Sequence, residues 1–230
     1  WPVIMKNLID ATKFTGARVI FFDNVYMYGH VKGVMTEETP YKPSSRKGEI
    51  RARIAEHLMS ESKAGNINAT IARAADFYGA ESMNSFFDLM VLAKYAKKQK
   101  AMWLGNASTK HSLTYVPDTG RSLYALAKDE TSGNQVWHLP TAPALTGKQF
   151  IELAARIFDT QPRYMEVNKL FLNMIGLFNK LIRETAEMYY QYEFDYDFSS
   201  AKFEKAFNIF PTSYEKGIED FRKKLLHREV

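Results

Sequence analysis

The chain has 230 residues, 46% of them hydrophobic, 14% aromatic and 25% charged, with a formal net charge of +5 and no cysteine. So many aromatics exclude a mainly disordered chain, and the length is enough to bury a sizeable core. The lack of cysteine excludes a disulfide framework and any thiolate metal site, and it suits a reducing compartment, so the cytoplasm is the expected location.

No apolar run approaches the ~20 residues that a membrane helix needs, so no membrane partner is expected. Two basic runs, Lys94-Lys97-Lys98-Lys100 and Arg222-Lys223-Lys224, read as solvated helix ends, where cations suit the helix dipole. Without an aromatic-interleaved basic motif or zinc-finger spacing, no nucleic-acid partner is expected. The five histidines, His30, His57, His111, His138 and His227, show no metal-ligand spacing.

In chain order, residues 3–12 read as a helix with Gly16 beyond its end. Residues 17–22 form a short apolar run of the kind buried on both faces of a parallel sheet. A loop rich in Gly, Thr and Pro runs from Gly29 to Gly48. Ile50, Ile54, Leu58 and Met59 then share one face of a helix. Residues 68–72 are a second strand, 85–98 a helix and 102–104 a short strand ending at Gly105. Asp118 is expected to cap a helix through Leu123 and Leu126, and 135–139 to form a third buried strand stopped by Pro140. Thr146 starts a helix with Phe150, Leu153, Ala154 and Ile157 inward. A long apolar helix is expected over 169–190, and a last helix carries Tyr214, Ile218, Phe221 and Leu225 on one face. Helices alternate with buried strands as far as residue 140 and dominate after it. This is an α/β organisation followed by a mostly helical part.

Several segments resemble a known family. Arg18 to Gly29, reading RVIFFDNVYMYG, is similar to the fifth strand of the extended short-chain dehydrogenase/reductases, the NAD-dependent epimerase/dehydratase family, and to the Tyr-Gly that follows it. Thr36-Glu37-Glu38-Thr39-Pro40 resembles the family's acidic-Pro loop. Arg73-Ala74-Ala75-Asp76-Phe77-Tyr78-Gly79 resembles its sixth strand, with Ala80 in place of the usual Pro. Tyr115-Val116-Pro117-Asp118 and Pro211 through Gly217-Ile218 resemble later motifs. The pieces stand in family order over nearly the whole chain. The resemblance implies the C-terminal part of a Rossmann-like doubly wound parallel sheet with a smaller, mostly helical substrate subdomain. Residues 1–79 and 112–140 would form the NAD(P)-binding part, and 80–111 and 141–230 the substrate part. No G-x-x-G-x-x-G phosphate loop occurs in the sequence. The family's first four strands are therefore expected to lie outside it, in a protein of roughly 300 residues.

The family's Ser/Thr, Tyr and Lys fall, by spacing, on Asn24, Lys47 and Arg51. Asn24 still donates and accepts hydrogen bonds, and Arg51 still reaches ribose hydroxyls. Lys47 would act as a base only if desolvation and Arg51 lowered its pKa. Asp23 and Tyr26 are further acid–base candidates, because they sit at a strand end facing the crevice where such sheets bind ligands. The resemblance carries Arg51, Asp76 and Phe77 over as cofactor contacts, and Asp76, Asn84, Tyr115 and Arg121 as substrate contacts. Asp76 stands where the family often has Asn, and its charge would repel a diphosphate. His111 and His138 read as structural, the Arg183-Glu184 and Glu187-to-Tyr190 group as an ion pair beside an aromatic patch or as a substrate-pocket wall, and the stripe from Leu170 to Ile182 as core or subunit contact.

The implied activity is that of an NAD- or NADP-dependent epimerase, dehydratase or reductase acting on a sugar-like or small carbonyl substrate, assembled as a homodimer. The alternative is a dinucleotide-binding regulatory or sensor protein that has lost the chemistry.

Overall fold

Pro2 and Gly16 set the limits of α1 (Pro2–Thr15). Proline lacks only an N–H that a first helical turn cannot use, and Gly16 takes the left-handed φ of 67° that carries its N–H to the Thr12 carbonyl. Met5, Ile9 and Thr12 form the buried face. Met5 and Ile9 pack against Ile54, Ala55 and Leu58. The structure, a computed structural model, describes residues 1–79, 85–176 and 186–228.

β1 (Val19–Asp23), β3 (Ala69–Arg73) and β8 (Val136–His138) form an all-parallel sheet in the order β1-β3-β8. α2 (Arg46–Lys63) is the crossover from β1 to β3. All five residues of β3 are buried. β1 lies at the edge of these three described strands, and its Phe22 is 39% exposed.

The start of α2 is fixed twice. Ser45 Oγ accepts from Gly48 N at 3.0 Å, capping the first turn. A Cβ at Gly48 would stand 2.5 Å from the Tyr26 carbonyl, so only glycine lets this turn lie against the 3-10 turn Tyr26–Tyr28 that follows β1. Lys47 and Arg51 are thereby carried to the end of β1.

Further pairs of short strands surround this sheet. β4 (Asp76–Tyr78) runs parallel to β7 (Leu113–Tyr115), and β5 (Ala101–Leu104) to β10 (Tyr164–Val167). β2 (Val34–Met35) pairs with β11 (Asp197–Phe198), and β6 (Lys110–His111) is antiparallel to β9 (Leu145–Thr146). The main cluster of the second half gathers Tyr78, Phe87, Trp103, Phe150, Tyr214 and Ile218. It is framed by α5 (Gly147–Ile157) and α9 (Tyr214–Arg228). α5 opens on Thr146 with the full reciprocal capping box to Gln149.

Several expectations are corrected. Asp118 does not cap α4 (Val116–Lys128), which starts earlier, at Val116, with proline in its first turn. Its carboxylate instead accepts from the N–H of Thr212 at 2.6 Å and the hydroxyl of Thr212 at 2.8 Å, tying α4 to the segment before α9. The helix expected over 85–98 contains a π-helical turn, Asp88–Leu92, ahead of α3 (Ala93–Ala96). Of the helix expected over 169–190, α6 (Lys169–Gly176) and α7 (Tyr190–Glu193) are described, and residues 177–185 lie outside the described residues. Arg222 is not at a helix end, because α9 continues to Arg228. Arg222 donates to the Ile157 carbonyl at 2.5 Å, and Lys98 to the Phe158 carbonyl at 2.6 Å, so both basic runs serve the C-terminus of α5. Among the described residues no helix is long and apolar enough to cross a membrane.

The carboxyl ends of the three parallel strands carry polar groups in register: Asp23 beside Arg73, and Arg73 beside His138. All three are buried. Arg73 donates to the Tyr28 hydroxyl at 2.7 Å and to the Tyr41 hydroxyl, and its Nε lies 3.8 Å from Asp23 Oδ2. His138 Nδ1 meets the Ser199 carbonyl at 2.9 Å, and Nε2 meets the Tyr28 hydroxyl at 2.7 Å. A carbonyl only accepts, so Nδ1 carries the proton. Burial pushes the imidazole down to about 3, so the ring is neutral and Nε2 accepts from Tyr28. Tyr28 thus passes one chain of hydrogen bonds from Arg73 to His138, and burial pushes its own phenol up to about 12.

Two outcomes are expected. Gly48→Ala forces α2 away from the Tyr26 carbonyl and should cost about 1–3 kcal/mol, read by urea unfolding. The unfolded chain protonates His138 below 6.5, the ordinary value of imidazole, while the folded chain refuses that proton until about 3. Stability contributed by the neutral ring is complete above the unfolded value and falls by on the order of 4 kcal/mol as pH drops through that window. His138→Gln should flatten that part of the stability–pH curve, and an unchanged slope would exclude this origin.

Candidate functional site

Two groups of side chains meet beyond the strand ends. The first grows from the end of β1. The Asn24 side-chain oxygen accepts from Tyr26 N at 3.1 Å, which turns the chain into the 3-10 segment. Arg51, one turn into α2 from Lys47, reaches back to Asp23, with Nη1 3.2 Å from Oδ1. The guanidinium lies 4.6 Å from the centre of the Trp1 ring, and its side chain is 18% exposed. Burial raises the Asp23 carboxyl's pKa, with Arg73 and Arg51 opposing. Asp23 is fully enclosed between these two cations and does not face the crevice.

Lys47 is set against Glu187. The carboxylate accepts from the Lys47 N–H at 3.0 Å and lies 3.5 Å from Nζ. The base role considered for Lys47 needs a cationic, desolvating neighbourhood, and the structure supplies an anionic, half-open one. Tyr26 is half-buried, and its desolvation, with the charge of Asp76, raises its phenol above the ordinary value against the pull of Arg51. Its hydroxyl is therefore a donor, within electrostatic reach of both groups of the site.

The second group is built on Asp76, the first residue of β4. Asp76 Oδ2 accepts from His111 Nε2 at 2.9 Å and from the Tyr192 hydroxyl at 3.1 Å. His111 is buried and stacked between two tyrosines, 5.0 Å from the Tyr192 ring at 5° and 4.5 Å from the Tyr196 ring at 14°. Burial, reinforced by the Asp76 charge, raises the phenols of Tyr192 and Tyr196 well above the ordinary value. Burial pushes Tyr190 up to about 12, and the Asp76 charge adds to it. Tyr196 Oη is buried without a hydrogen-bond partner among the described residues.

The remaining sequence candidates lie around these groups. Phe77 follows Asp76 and packs on Phe22 with ring centres 5.7 Å apart. Tyr115 lies against Tyr78, and its hydroxyl is 3.4 Å from Asp220. Arg121 is engaged by Asp118 at 2.6 Å and by the Phe210 carbonyl. Asn84 and Ala80, with Arg183 and Glu184, lie outside the described residues. His138 has the structural role expected of it, whereas His111 is drawn into the Asp76 group. Tyr192 and Tyr196 were not singled out by the sequence, and Glu187 was read as part of an ion pair beside an aromatic patch or of a substrate-pocket wall. The available signal was four tyrosines at 189, 190, 192 and 196, a density unusual for a solvated helix end. Among the described residues no group of three or more His, Asp or Glu is placed to hold a metal ion.

No curated protein matches the sequence. Solved structures of similar fold are numerous. The chain superposes with a TM-score of 0.79 on MoeE5 in complex with UDP-glucuronic acid and NAD, at 15% identity over 99% of this chain and 71% of that one. It gives 0.76 on UDP-glucuronic acid 4-epimerase from Bacillus cereus with UDP-glucuronic acid and NAD, at 15% identity over 98% and 67%. It also gives 0.76 on dTDP-glucose 4,6-dehydratase from Bacillus anthracis with NAD, again at 15% identity over 98% and 67%. For dTDP-glucose 4,6-dehydratase from Streptomyces venezuelae the share is 63% of that chain, so this chain spans about two thirds of the length of such structures. These likenesses show the doubly wound α/β fold. The sequence pattern of the NAD dependent epimerase/dehydratase family matches residues 3–139, from α1 through the last strand of the parallel sheet and past the whole Asp23–Arg73–His138 row, and the chain therefore belongs to that family.

Proposed function

We propose that this chain carries the substrate side of an NAD(P)-dependent oxidoreductase of the epimerase/dehydratase type. Its substrate would be a nucleotide sugar or a related sugar-like carbonyl compound. Residues 1–79 and 112–140 would serve the dinucleotide, and 80–111 and 141–230 the substrate. The reading extends to a cytoplasmic homodimer without a nucleic-acid partner. The structural neighbours named above are complexes with NAD, and two of them hold UDP-glucuronic acid.

The observation that carries the proposal is the donor set at the end of β1. Asn24, Lys47 and Arg51 occupy the positions of the family's Ser/Thr, Tyr and Lys. Arg51 is anchored through one nitrogen by Asp23 and remains partly open. A guanidinium held in this way keeps other N–H groups for the hydroxyls of a ribose. This donor set fits the nicotinamide-ribose end of a dinucleotide. The pyrophosphate end calls for a glycine-rich turn, and no such motif occurs in the sequence. A bound nicotinamide would supply the acceptor and donor of hydride. The chain's own residues would bind the ribose, orient the sugar and hold the exchanged proton.

One observation favours a second reading, a dinucleotide-binding regulatory protein. Lys47, at the position of the family's phenol, is occupied by Glu187 rather than open to a ligand. Calorimetry with NAD and NADP, in both redox states, comes first. Arg51→Ala should weaken dinucleotide binding about tenfold, the worth of a charge-assisted hydrogen bond. Binding without nicotinamide turnover on any carbonyl or sugar-nucleotide substrate would favour the regulatory reading, and no dinucleotide binding would reject both.

A further inference from the structure

Of the groups that could take a proton from a bound ligand, most are disqualified by their surroundings. Asp23 is sealed between Arg51 and Arg73 and touches no open space. Lys47 faces Glu187. The phenols of Tyr26, Tyr190, Tyr192 and Tyr196 are all raised by burial and by the Asp76 charge, so they stay protonated and act as donors. Asp76 differs from each of them. Its side chain is 19% exposed, and both of its hydrogen bonds fall on one oxygen, Oδ2.

We propose that Asp76 is the catalytic proton acceptor of this site, taking the role that the family gives to a tyrosine, and that His111 and Tyr192 are its positioning residues. This rests on the oxidoreductase reading given above and deepens it. Three features carry it. Asp76 opens β4, a strand whose position is set by its parallel register with Leu113 to Tyr115, so the carboxylate stands on a rigid element. His111 cannot swing away, because Tyr192 and Tyr196 clamp both faces of its ring. The two donors on Oδ2 fix the plane of the carboxylate and leave Oδ1 as the atom for a ligand hydroxyl. This is the arrangement of a base held by an orienting partner.

The step balances. The O–H bond of a substrate secondary alcohol breaks and its proton passes to Asp76 Oδ1. The electron pair of that bond forms the carbonyl, while the C–H pair on the same carbon leaves as hydride to an oxidised nicotinamide dinucleotide. In the return direction Asp76 gives the proton back. The groups facing Asp76 are His111, Tyr192, Tyr196, Tyr190 and Tyr26, and the carboxylate is the anion among them. The substrate class follows. The site accepts a hydroxyl donor at Asp76 and disfavours a carboxylate there, so a neutral hexose suits it better than a uronic acid.

The test compares the wild type with Asp76→Asn, Asp76→Glu and His111→Gln, using NAD with UDP-glucose, dTDP-glucose and UDP-glucuronic acid. Binding of each sugar nucleotide is measured by calorimetry, and nicotinamide reduction is followed by absorbance. Asp76→Asn should slow reduction at least about a hundredfold and change sugar-nucleotide affinity no more than about threefold. Asp76→Glu should restore part of the rate. His111→Gln should lower kcat about tenfold and leave KM within about threefold, a split that a merely structural loss would not give. His111 has a second readout without turnover: its imidazole NMR signals should shift in Asp76→Asn. An unchanged rate in Asp76→Asn, unchanged His111 imidazole signals, or a wild type that binds NAD but reduces none of it with these three sugars would overturn the assignment. A wild type that binds neither NAD nor NADP would fail the oxidoreductase reading itself, and this proposal with it.

Discussion

Everything beyond the strand ends depends on one buried guanidinium. Arg73 stands in the middle of the parallel sheet's carboxyl edge without solvent contact. A cation there, if left unpaired, would cost several kcal/mol, so the surrounding chain must supply partners. It does so from every side. Asp23 comes from the outer strand, Tyr28 from the turn that follows it, and Tyr41 from the loop before α2. The two tyrosine rings also face the guanidinium, at 5.0 and 4.9 Å. Through the Tyr28 hydroxyl the same network fixes His138 on the third strand, and through His138 it reaches Ser199 ahead of α8 (Ala201–Phe207). A single charge thus ties together segments nearly 180 residues apart in sequence.

That constraint places the neighbouring groups. Because the turn after β1 is held down by Tyr28, α2 must begin against it, and glycine at 48 allows the contact. Lys47 and Arg51 then stand at the strand end, each paired with a carboxylate, Glu187 and Asp23. The second group has a different character, an aspartate that accepts from a buried histidine and from a tyrosine hydroxyl. Tyr26, on the turn itself, feels the charges of both Asp76 and Arg51.

The elements were largely legible because they rest on local patterns. The apolar spacing of α1 and α2, the run through β3, the capping box at Thr146 and the face of α9 are all consequences of periodicity and end chemistry. Errors came where a tertiary contact outweighed the local rule. Asp118 reads as a cap by composition, but Thr212, far along the chain, takes its carboxylate. The π-helical turn at Asp88–Leu92 leaves no mark in the spacing of apolar residues. In the site, the order of motifs singled out Asn24, Arg51 and Asp76 as candidates. His111 was read as structural and Tyr192 was not singled out, because their meeting with Asp76 follows from strand register and from a turn over a hundred residues away.

The sequence alone determined which residue types stand at the end of each strand. It put Asp, Arg and His where three parallel strands stop, and set an aspartate at the start of β4. These are local facts, because strand length and register positions are written along the chain. What each of those groups can do was decided only by the tertiary structure. Protonation and access depend on burial and on neighbouring charge, and both are set by segments distant in sequence. Folding encloses Asp23 between two cations, turns Tyr26 into a donor and leaves the Asp76 carboxylate open with His111 fixed behind it.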